Sequence, residues 1–174
     1  MAREKVFDLV DKLRHYTHGS IRVHVINFTK LQLAVYDNCD ESYAMTVMRR
    51  MMYRISEKIA NKNNCLALVN GESIGQVASQ TLQSLAATNE VCTLPVYRPV
   101  IGFDKQEIVE RSWEIGTYDT SVLPYEDCCT IFVAKHPVTK PNVNVIRKSE
   151  EKLAEKIDEL MEAALSTAEV IEIQ

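Results

Sequence analysis

The chain has 174 residues, 46% of them hydrophobic, which favours one domain with a single apolar core. Residues 150–174 carry eight acidic and two basic residues and account for the net charge of −4, so residues 1–149 carry 18 basic and 16 acidic residues. That weak positive charge offers no basic stripe of the kind a self-sufficient nucleic-acid-binding domain uses. Apolar runs fall short of the roughly 20 residues of a membrane span, and the charged start lacks the apolar segment of a signal peptide. We therefore expect a cytoplasmic protein with no membrane association.

Cysteine and histidine patterns give no sign of a disulfide framework or a metal site. The five cysteines stand at irregular spacings without a CxxC pair, so most of them are interpreted as reduced thiols that serve packing. The four histidines have no partners at ligand spacing, and we predict no metal ligands among them. The adjacent pair Cys128 and Cys129 is poorly placed to form a disulfide with itself.

The first half of the chain alternates between helical and strand patterns. Residues 3–17 form an amphipathic pattern that Gly19 ends, and residues 21–28 form a β-branched strand pattern. A short helix is predicted over residues 30–37 and a longer one from about Ser42 to the break at residues 61–64. In the longer helix Met48, Met52, Ile55 and Ile59 lie at helical spacing, which is typical of core side chains.

The second half continues the alternation. Residues 66–69 are continuously apolar, as in a central parallel strand, and Ser73 with Gln76 has the form of a capping box that opens the next helix. Residues 96–103 predict a strand that Pro99 restricts to a sheet edge or a strand end, and Asp104 with Glu107 predicts a second capping box. A last amphipathic helix is predicted over residues 147–168, with Ser149 as its N-cap.

Strands that alternate with helices in this way predict an α/β fold with a parallel sheet. Ligands of such sheets bind beyond the carboxyl ends of the strands, where helices begin. Residues 71–80 and residues 104–105 are therefore candidate site loops. The glycines of residues 71–81 fit an anion-binding helix start, but taken alone they favour an ordinary connection between a strand and a helix.

Five segments, in the same order, resemble motifs of the tRNA 4-thiouridine synthetases, the ThiI family. Residues 71–81, GESIGQVASQT, match the family signature GESxGQVASQT. The other four segments are YAMTVMRRMM (43–52), PVYRPVIGFDK (95–105), IGT (115–117) and LPYEDCCTIF (123–132).

This resemblance implies a fold and an activity. The fold is a Rossmann-like parallel sheet with flanking helices, the PP-loop ATPase type of the adenine nucleotide alpha hydrolases. The family uses ATP and Mg to adenylate the O4 of uridine at tRNA position eight, and persulfide sulfur then displaces AMP to give 4-thiouridine. The implied partners are tRNA, a cysteine desulfurase that donates the persulfide, a sulfur-carrier protein of thiamine thiazole synthesis and a second copy of the chain in a homodimer.

The resemblance also assigns site residues. Arg49, Gly71 and Gln80 match positions that hold ATP, Lys105 matches a lysine that assists nucleotide transfer, and Cys128 matches the catalytic cysteine. Simpler interpretations stay open for two of them. Arg49 and its neighbour Arg50 could form a solvated helix face, and Cys128 could be a packed or idle thiol. Lys105 stands at a helix start, where a positive charge opposes the macrodipole, and this favours a functional role.

The sequence departs from the family pattern in one respect, because the phosphate-binding SGGxDS string does not occur in it. Residues 1–174 are therefore expected to be a partial PP-loop domain, with residues 147–168 as its last helix, and to be inactive alone. The family's ferredoxin-like and THUMP domains have no counterpart in the chain either. The alternative is a non-catalytic nucleotide-binding or dimerisation module.

Overall fold

The structure of the chain is a computed structural model that describes residues 2–125 and 137–174, except the side chain of Glu155. The described residues form two compact units. Unit 1 comprises residues 2–26, 103–125 and 168–174, and unit 2 comprises residues 27–102 and 137–167. The expectation of a single domain over residues 1–174 stays a prediction.

Helices outnumber strands in the described ranges, and no helix there is long and apolar enough to cross a membrane. A short 3₁₀ turn, Ala78–Gln80, precedes the fourth α-helix. In chain order the elements are α1 (Ala2–Arg14), β1 (Ile21–Val25), α2 (Thr29–Asn38), α3 (Glu41–Lys62), β2 (Leu68–Val69), α4 (Leu82–Asn89), β3 (Val96–Tyr97), α5 (Lys105–Glu114), α6 (Tyr118–Ser121), α7 (Val143–Glu151), α8 (Ala154–Ser166) and β4 (Glu169–Ile173).

Unit 1 is built around an antiparallel pair of strands. β1 pairs with β4, with Ile21 opposite Ile173 and Val25 opposite Glu169. Helix α1 packs against α6 and β4, and α5 packs against α6. The apolar pattern of residues 21–28 correctly predicts a strand, but the expected parallel pairing is wrong for it. Side-chain periodicity reports that a segment is extended and does not identify its partner strand.

Unit 2 contains the apolar core, with α3 at its centre. Helix α3 packs against α2, α4, α7 and α8, and its side chains Val47, Met48 and Met51 are almost completely buried. Each fully buried side chain of this size stabilises the fold by roughly 1.5–3 kcal/mol. The core positions predicted at Met48 and Ile55 are confirmed, whereas Met52, one helical turn after Met48, is exposed.

A short parallel pair, β2 with β3, provides the second sheet of the described residues. Leu68 lies opposite Val96, and Val69 lies opposite Tyr97. The α/β class is therefore confirmed. The prediction of a strand buried on both faces over residues 66–69 is wrong, since Leu66 is 85% exposed and Val69 is 67% exposed. An apolar run reports a tendency to be buried, and what covers it depends on the rest of the fold.

The helix starts confirm one predicted cap and correct two. Asp104 caps α5 in a complete capping box, in which Glu107 N donates to Asp104 Oδ1 at 2.9 Å and Asp104 N donates to Glu107 Oε2 at 2.7 Å. Ser73 does not cap a helix, because α4 begins at Leu82 and its cap is Thr81. The helix predicted over residues 147–168 is two helices, α7 and α8. The first of them begins earlier than expected and is capped by Asn142 instead of Ser149.

Candidate functional site

The chain between β2 and α4, residues 70–81, forms a loop that folds back on itself. We call it the β2–α4 loop. Ser73 N donates to the side-chain Oε1 of Gln80 at 3.2 Å, and Gly75 N donates to the carbonyl oxygen of Gln80 at 3.0 Å. Gly75 has φ of +80°, in the left-handed region that favours glycine. Gln80 therefore closes the loop through both its side chain and its backbone.

Two further contacts fix the β2–α4 loop to the chain around β3. Asn70 N donates to Tyr97 O at 3.0 Å, and Ile74 N donates to Ile101 O at 3.0 Å. The loop thus begins at the carboxyl end of β2 and runs beside the segment that follows β3. This is the edge of a parallel sheet at which ligands usually bind.

Glu72, in this loop, is the centre of a buried polar cluster. Glu72 is only 4% exposed. Its two carboxylate oxygens accept hydrogen bonds from different groups. Oε1 accepts from Arg49. Oε2 accepts from Arg98 Nε at 2.7 Å, from Tyr53 Oη at 2.8 Å and from Asn70 Nδ2 at 3.0 Å. We call these five residues the Glu72 cluster.

Helix α3 positions two members of the Glu72 cluster. Arg49 and Tyr53 are four residues apart, so they lie on one face of the helix. Arg49 Nη1 also donates to Ser79 Oγ at 3.1 Å, which connects α3 to the far end of the β2–α4 loop. Arg49, Gly71 and Gln80, predicted to lie at one site, are thereby brought to one loop and the helix beside it.

Gly71 is exposed at the start of this loop. A Cβ atom added at Gly71 would have no atom within 4 Å, and Gly71 is not among the glycines with positive φ. Neither local packing nor backbone strain therefore accounts for a glycine here. Open space on this side of the loop is what close approach of a ligand to the backbone needs.

A second ion-pair cluster lies on another side of α3 and lines a cleft of about 520 Å³. Arg50 Nε donates to Glu150 Oε1 at 2.8 Å, Arg50 Nη1 pairs with Glu90 at 2.8 Å, and Arg54 Nη1 pairs with Glu150 at 2.8 Å. We call these four residues the Glu150 cluster. Burial would raise the pKa of the Glu150 carboxyl, but the hydrogen bonds from Arg54 and Arg50 outweigh it and hold that pKa below its ordinary value. The Glu150 cluster connects α7 to α3 and is explained by packing.

In the part of the chain that the structure describes, the cysteines are free thiols. Burial raises the pKa of the Cys39 thiol, and burial together with a hydrogen bond to Glu57 raises the pKa of the Cys92 thiol. A raised pKa lowers the thiolate fraction and with it the reactivity. The interpretation of Cys39 and Cys92 as packing residues is consistent with this.

Lys105 is the first residue of α5 in unit 1, with its side chain exposed. The Glu72 cluster belongs to unit 2. Cys128, the predicted catalytic cysteine, lies outside the described residues, and so does Cys129. The roles of both residues stay predictions.

The Glu72 cluster is a poor candidate for holding Mg. Magnesium prefers oxygen ligands, mostly carboxylates and water, and the carboxylate of this cluster is engaged by two arginines. Among the described residues, no three histidine, cysteine or acidic side chains are grouped so that they could hold a metal ion. We therefore assign no metal ligand.

Sequence reasoning missed Glu72, Arg98, Tyr53 and Asn70 as members of the site. Two of them lay in segments already singled out, since Glu72 follows Gly71 in GES and Arg98 is the arginine of PVYRPV. The sequence offered two signals for them. Glu72 is a charged residue beside a glycine, and Arg98 is a charged residue directly before a proline at the end of a strand.

Comparison with known proteins identifies the family. The family model of the thiamine biosynthesis protein ThiI matches residues 1–154. A probable tRNA sulfurtransferase of Lachnoclostridium phytofermentans is 60% identical over 173 residues, which are 99% of this chain and 44% of that protein. The probable tRNA sulfurtransferase of Agathobacter rectalis is 60% identical over 170 residues, 98% of this chain and 43% of its own length.

A solved structure agrees with these relatives. The crystal structure of a 4-thiouridine synthetase in complex with RNA and with bound ATP has a TM-score of 0.93 to this chain at 43% identity. The match covers 99% of this chain and 45% of that one, so the chain spans less than half the length of the proteins it resembles. The family model matches most residues of the chain, and the two relatives are 60% identical to it. The chain therefore belongs to the ThiI family.

Proposed function

We propose that this chain is part of the catalytic domain of an ATP-dependent tRNA sulfurtransferase that makes 4-thiouridine at tRNA position eight. The observation that carries the proposal is the β2–α4 loop, which gathers Arg49, Gly71 and Gln80 in a chain 43% identical to a 4-thiouridine synthetase with bound ATP. Its fold is proposed to be the Rossmann-like PP-loop type, of which β2 and β3 are the described parallel strands.

The reaction has three steps. The O4 of the uridine attacks the α-phosphate of ATP, forms a bond to AMP and releases pyrophosphate. The terminal sulfur of a protein persulfide then attacks C4 of the ring, AMP leaves with the original oxygen, and a thiol attacks the remaining sulfur linkage to release the product through a disulfide.

The residues of the β2–α4 loop suit the nucleotide-binding part of this chemistry. The fork of donors on Arg49 matches phosphate oxygens, and Gly71 lets the backbone approach a ligand closely. Gln80 holds the loop in shape through its contacts to Ser73 and Gly75. ATP is a substrate of the proposed reaction, and Mg is the ion that accompanies its phosphates.

Lys105 and Cys128 are proposed to act in the transfer steps. Lys105 is exposed at the first turn of α5, where it contributes little to stability, and its charge would stabilise the negative charge that develops as pyrophosphate leaves. Cys128 is proposed as the thiol that resolves the persulfide. The proposal leaves Cys129 without a role.

The proposed partners follow from the same family assignment. They are tRNA, a cysteine desulfurase as persulfide donor, a sulfur-carrier protein for thiamine thiazole synthesis and a second copy of the chain in a homodimer. The solved relative is an RNA complex, which supports the first of them. We propose that the protein acts in the cytoplasm.

Complementation tests this function. A full-length enzyme that carries this sequence is expected to restore 4-thiouridine to the tRNA of a bacterium that lacks its own synthetase, and Lys105→Ala in the same enzyme is expected not to. If the protein binds ATP but restores no 4-thiouridine, the alternative of a non-catalytic nucleotide-binding or dimerisation module is correct.

A further inference from the structure

The Glu72 cluster joins a residue proposed to bind ATP to residues with no assigned role. Arg49 comes from α3, Arg98 follows β3, and Glu72 comes from the loop between β2 and α4. Each arginine contacts a different oxygen of the same carboxylate. The one side chain of Glu72 therefore sets where both guanidinium groups stand.

The Oε2 side of Glu72 is held most firmly. In addition to its bond to Oε2, the Tyr53 hydroxyl accepts from Asn70 Nδ2 at 2.6 Å and from Arg98 Nη2 at 3.0 Å. Arg98 Nη2 also donates to Asn89 Oδ1 at 2.9 Å. With one carboxylate oxygen fixed by three donors, the position of the other oxygen is fixed as well, and Arg49 is bound to that oxygen.

Arg49 is thus held from two sides within the described contacts. Glu72 accepts from its Nη2, and Ser79 Oγ accepts from its Nη1 at 3.1 Å. The side chain of Arg49 is 18% exposed, and that of Glu72 is 5% exposed. A buried carboxylate behind a partly exposed arginine orders the arginine before a ligand arrives, which lowers the entropy lost on binding.

We propose that Glu72 is a positioning residue for nucleotide binding, which acts by holding Arg49 in place and is itself held by Arg98, Tyr53 and Asn70. This inference rests on the proposed function of Arg49. Glu72 need not touch the nucleotide, because its carboxylate is already engaged by four donors.

Glu72→Asp is the variant that separates position from charge. Aspartate keeps the negative charge, but its shorter side chain cannot reach both arginines from the same backbone position. The dissociation constant for ATP in a full-length enzyme that carries this sequence is expected to rise by about tenfold, the loss of one charge-assisted hydrogen bond. If Glu72 acted through charge alone, Glu72→Asp would bind ATP normally and Glu72→Gln would bind it more tightly.

A double-mutant cycle by calorimetry tests whether Glu72 acts through Arg49. In an Arg49→Ala background, Glu72→Asp is expected to weaken ATP binding no further, because the residue it positions is gone. Glu150→Asp is the matched control, since Glu150 is also a carboxylate shared by two arginines of α3, and it is expected to leave ATP affinity unchanged. Thermal unfolding of each variant fixes a temperature at which all are folded.

Each outcome has a defined meaning. If Arg49→Ala weakens ATP binding and Glu72→Asp does not, or if the two effects add, the positioning role of Glu72 is wrong while the site stands. If Arg49→Ala itself binds ATP normally, the nucleotide site is wrong and the positioning role with it. Should Glu72→Asp not fold, Tyr53→Phe removes one support of Oε2 and is expected to weaken binding by about two- to fivefold. Unchanged affinity in Tyr53→Phe would then overturn the inference.

Discussion

Arg49 and Arg50 are consecutive in α3, yet their guanidinium groups bind two different carboxylates, those of Glu72 and Glu150. Adjacent residues on an α-helix point about 100° apart, so one helix serves two sides of unit 2. The side of α3 that carries Arg49 contacts the β2–α4 loop, and the side that carries Arg50 contacts α7. The interpretation of this pair as a solvated helix face is wrong, because Arg50 is 2% exposed and the Arg49 side chain is 18% exposed.

Gly71→Val is expected to weaken ATP binding without loss of stability. A Cβ atom at this exposed position meets no protein atom within 4 Å, so the free energy of unfolding should change by less than about 0.5 kcal/mol. A ligand that approaches the backbone would meet the branched side chain, and the dissociation constant should rise about tenfold or more, with Gly71→Ala showing a smaller effect. Calorimetry on the full-length enzyme measures this, and normal ATP affinity in Gly71→Val would remove Gly71 from the site.

Lys105→Ala is expected to separate catalysis from binding. The residue is exposed at the start of α5, and the stability change should stay within about 0.5 kcal/mol. ATP affinity is expected to persist while tRNA thiolation is lost. Lys62→Ala, which changes another exposed helical lysine, is the control and should keep full activity. Normal thiolation by Lys105→Ala would mean that Lys105 is an ordinary surface residue.

The Glu150 cluster predicts a pH dependence of stability. Because the pKa of Glu150 is lower in the folded than in the unfolded chain, its contribution is complete above the ordinary glutamate pKa near 4.3 and is lost as the pH falls through the lower folded value. Glu150→Gln removes one of the two carboxylates that pair with Arg50, and because Glu90 still pairs with that arginine, the change should cost roughly 1–2 kcal/mol at neutral pH.

Urea unfolding of the 174-residue chain and of Glu150→Gln, from about pH 3 to about pH 7, measures this contribution. The stability difference between the two proteins should shrink toward the acid end. A difference that stays constant over the whole range would show that the Glu150 charge contributes nothing to folding.

Cys128→Ser is expected to abolish 4-thiouridine while leaving adenylation intact, and Cys129→Ser is expected to keep most of the product. The reason is chemical, since a thiol is needed to resolve the persulfide after one sulfur has been transferred. The assay measures 4-thiouridine in tRNA after incubation with each full-length variant. The reverse pattern would move the role to Cys129, and full activity in both would exclude cysteine chemistry from this part of the enzyme.

The sequence predicted the positions of helices and strands better than it predicted which segments pair or contact one another. The capping box of Asp104 was predictable because it depends on residues three apart. The pairing of β1 with β4 depends on residues about 150 positions apart, as Ile21 and Ile173 are, and nothing local encodes it. Ser73 carries a capping pattern, yet its backbone N–H binds Gln80 in the folded loop. Tertiary contacts therefore override a local signal at the candidate site.

The candidate site was predicted in the same partial way. Resemblance to the family supplied Arg49, Gly71 and Gln80, which the structure gathers at one loop. Glu72 and Arg98 belong together only through a contact between residues 26 positions apart, on segments whose patterns are unrelated. No periodic pattern in the sequence predicts such a contact, which forms only in the folded chain.

The most direct test of the proposed function measures AMP and 4-thiouridine in one reaction. A full-length enzyme that carries this sequence is incubated with tRNA and a persulfide-loaded cysteine desulfurase, with and without ATP. Thiolation is expected only with ATP, with one AMP released for each 4-thiouridine formed and with Arg49→Ala reduced in both products. Formation of 4-thiouridine without ATP, or binding of ATP with neither product formed, would contradict an adenylating tRNA sulfurtransferase.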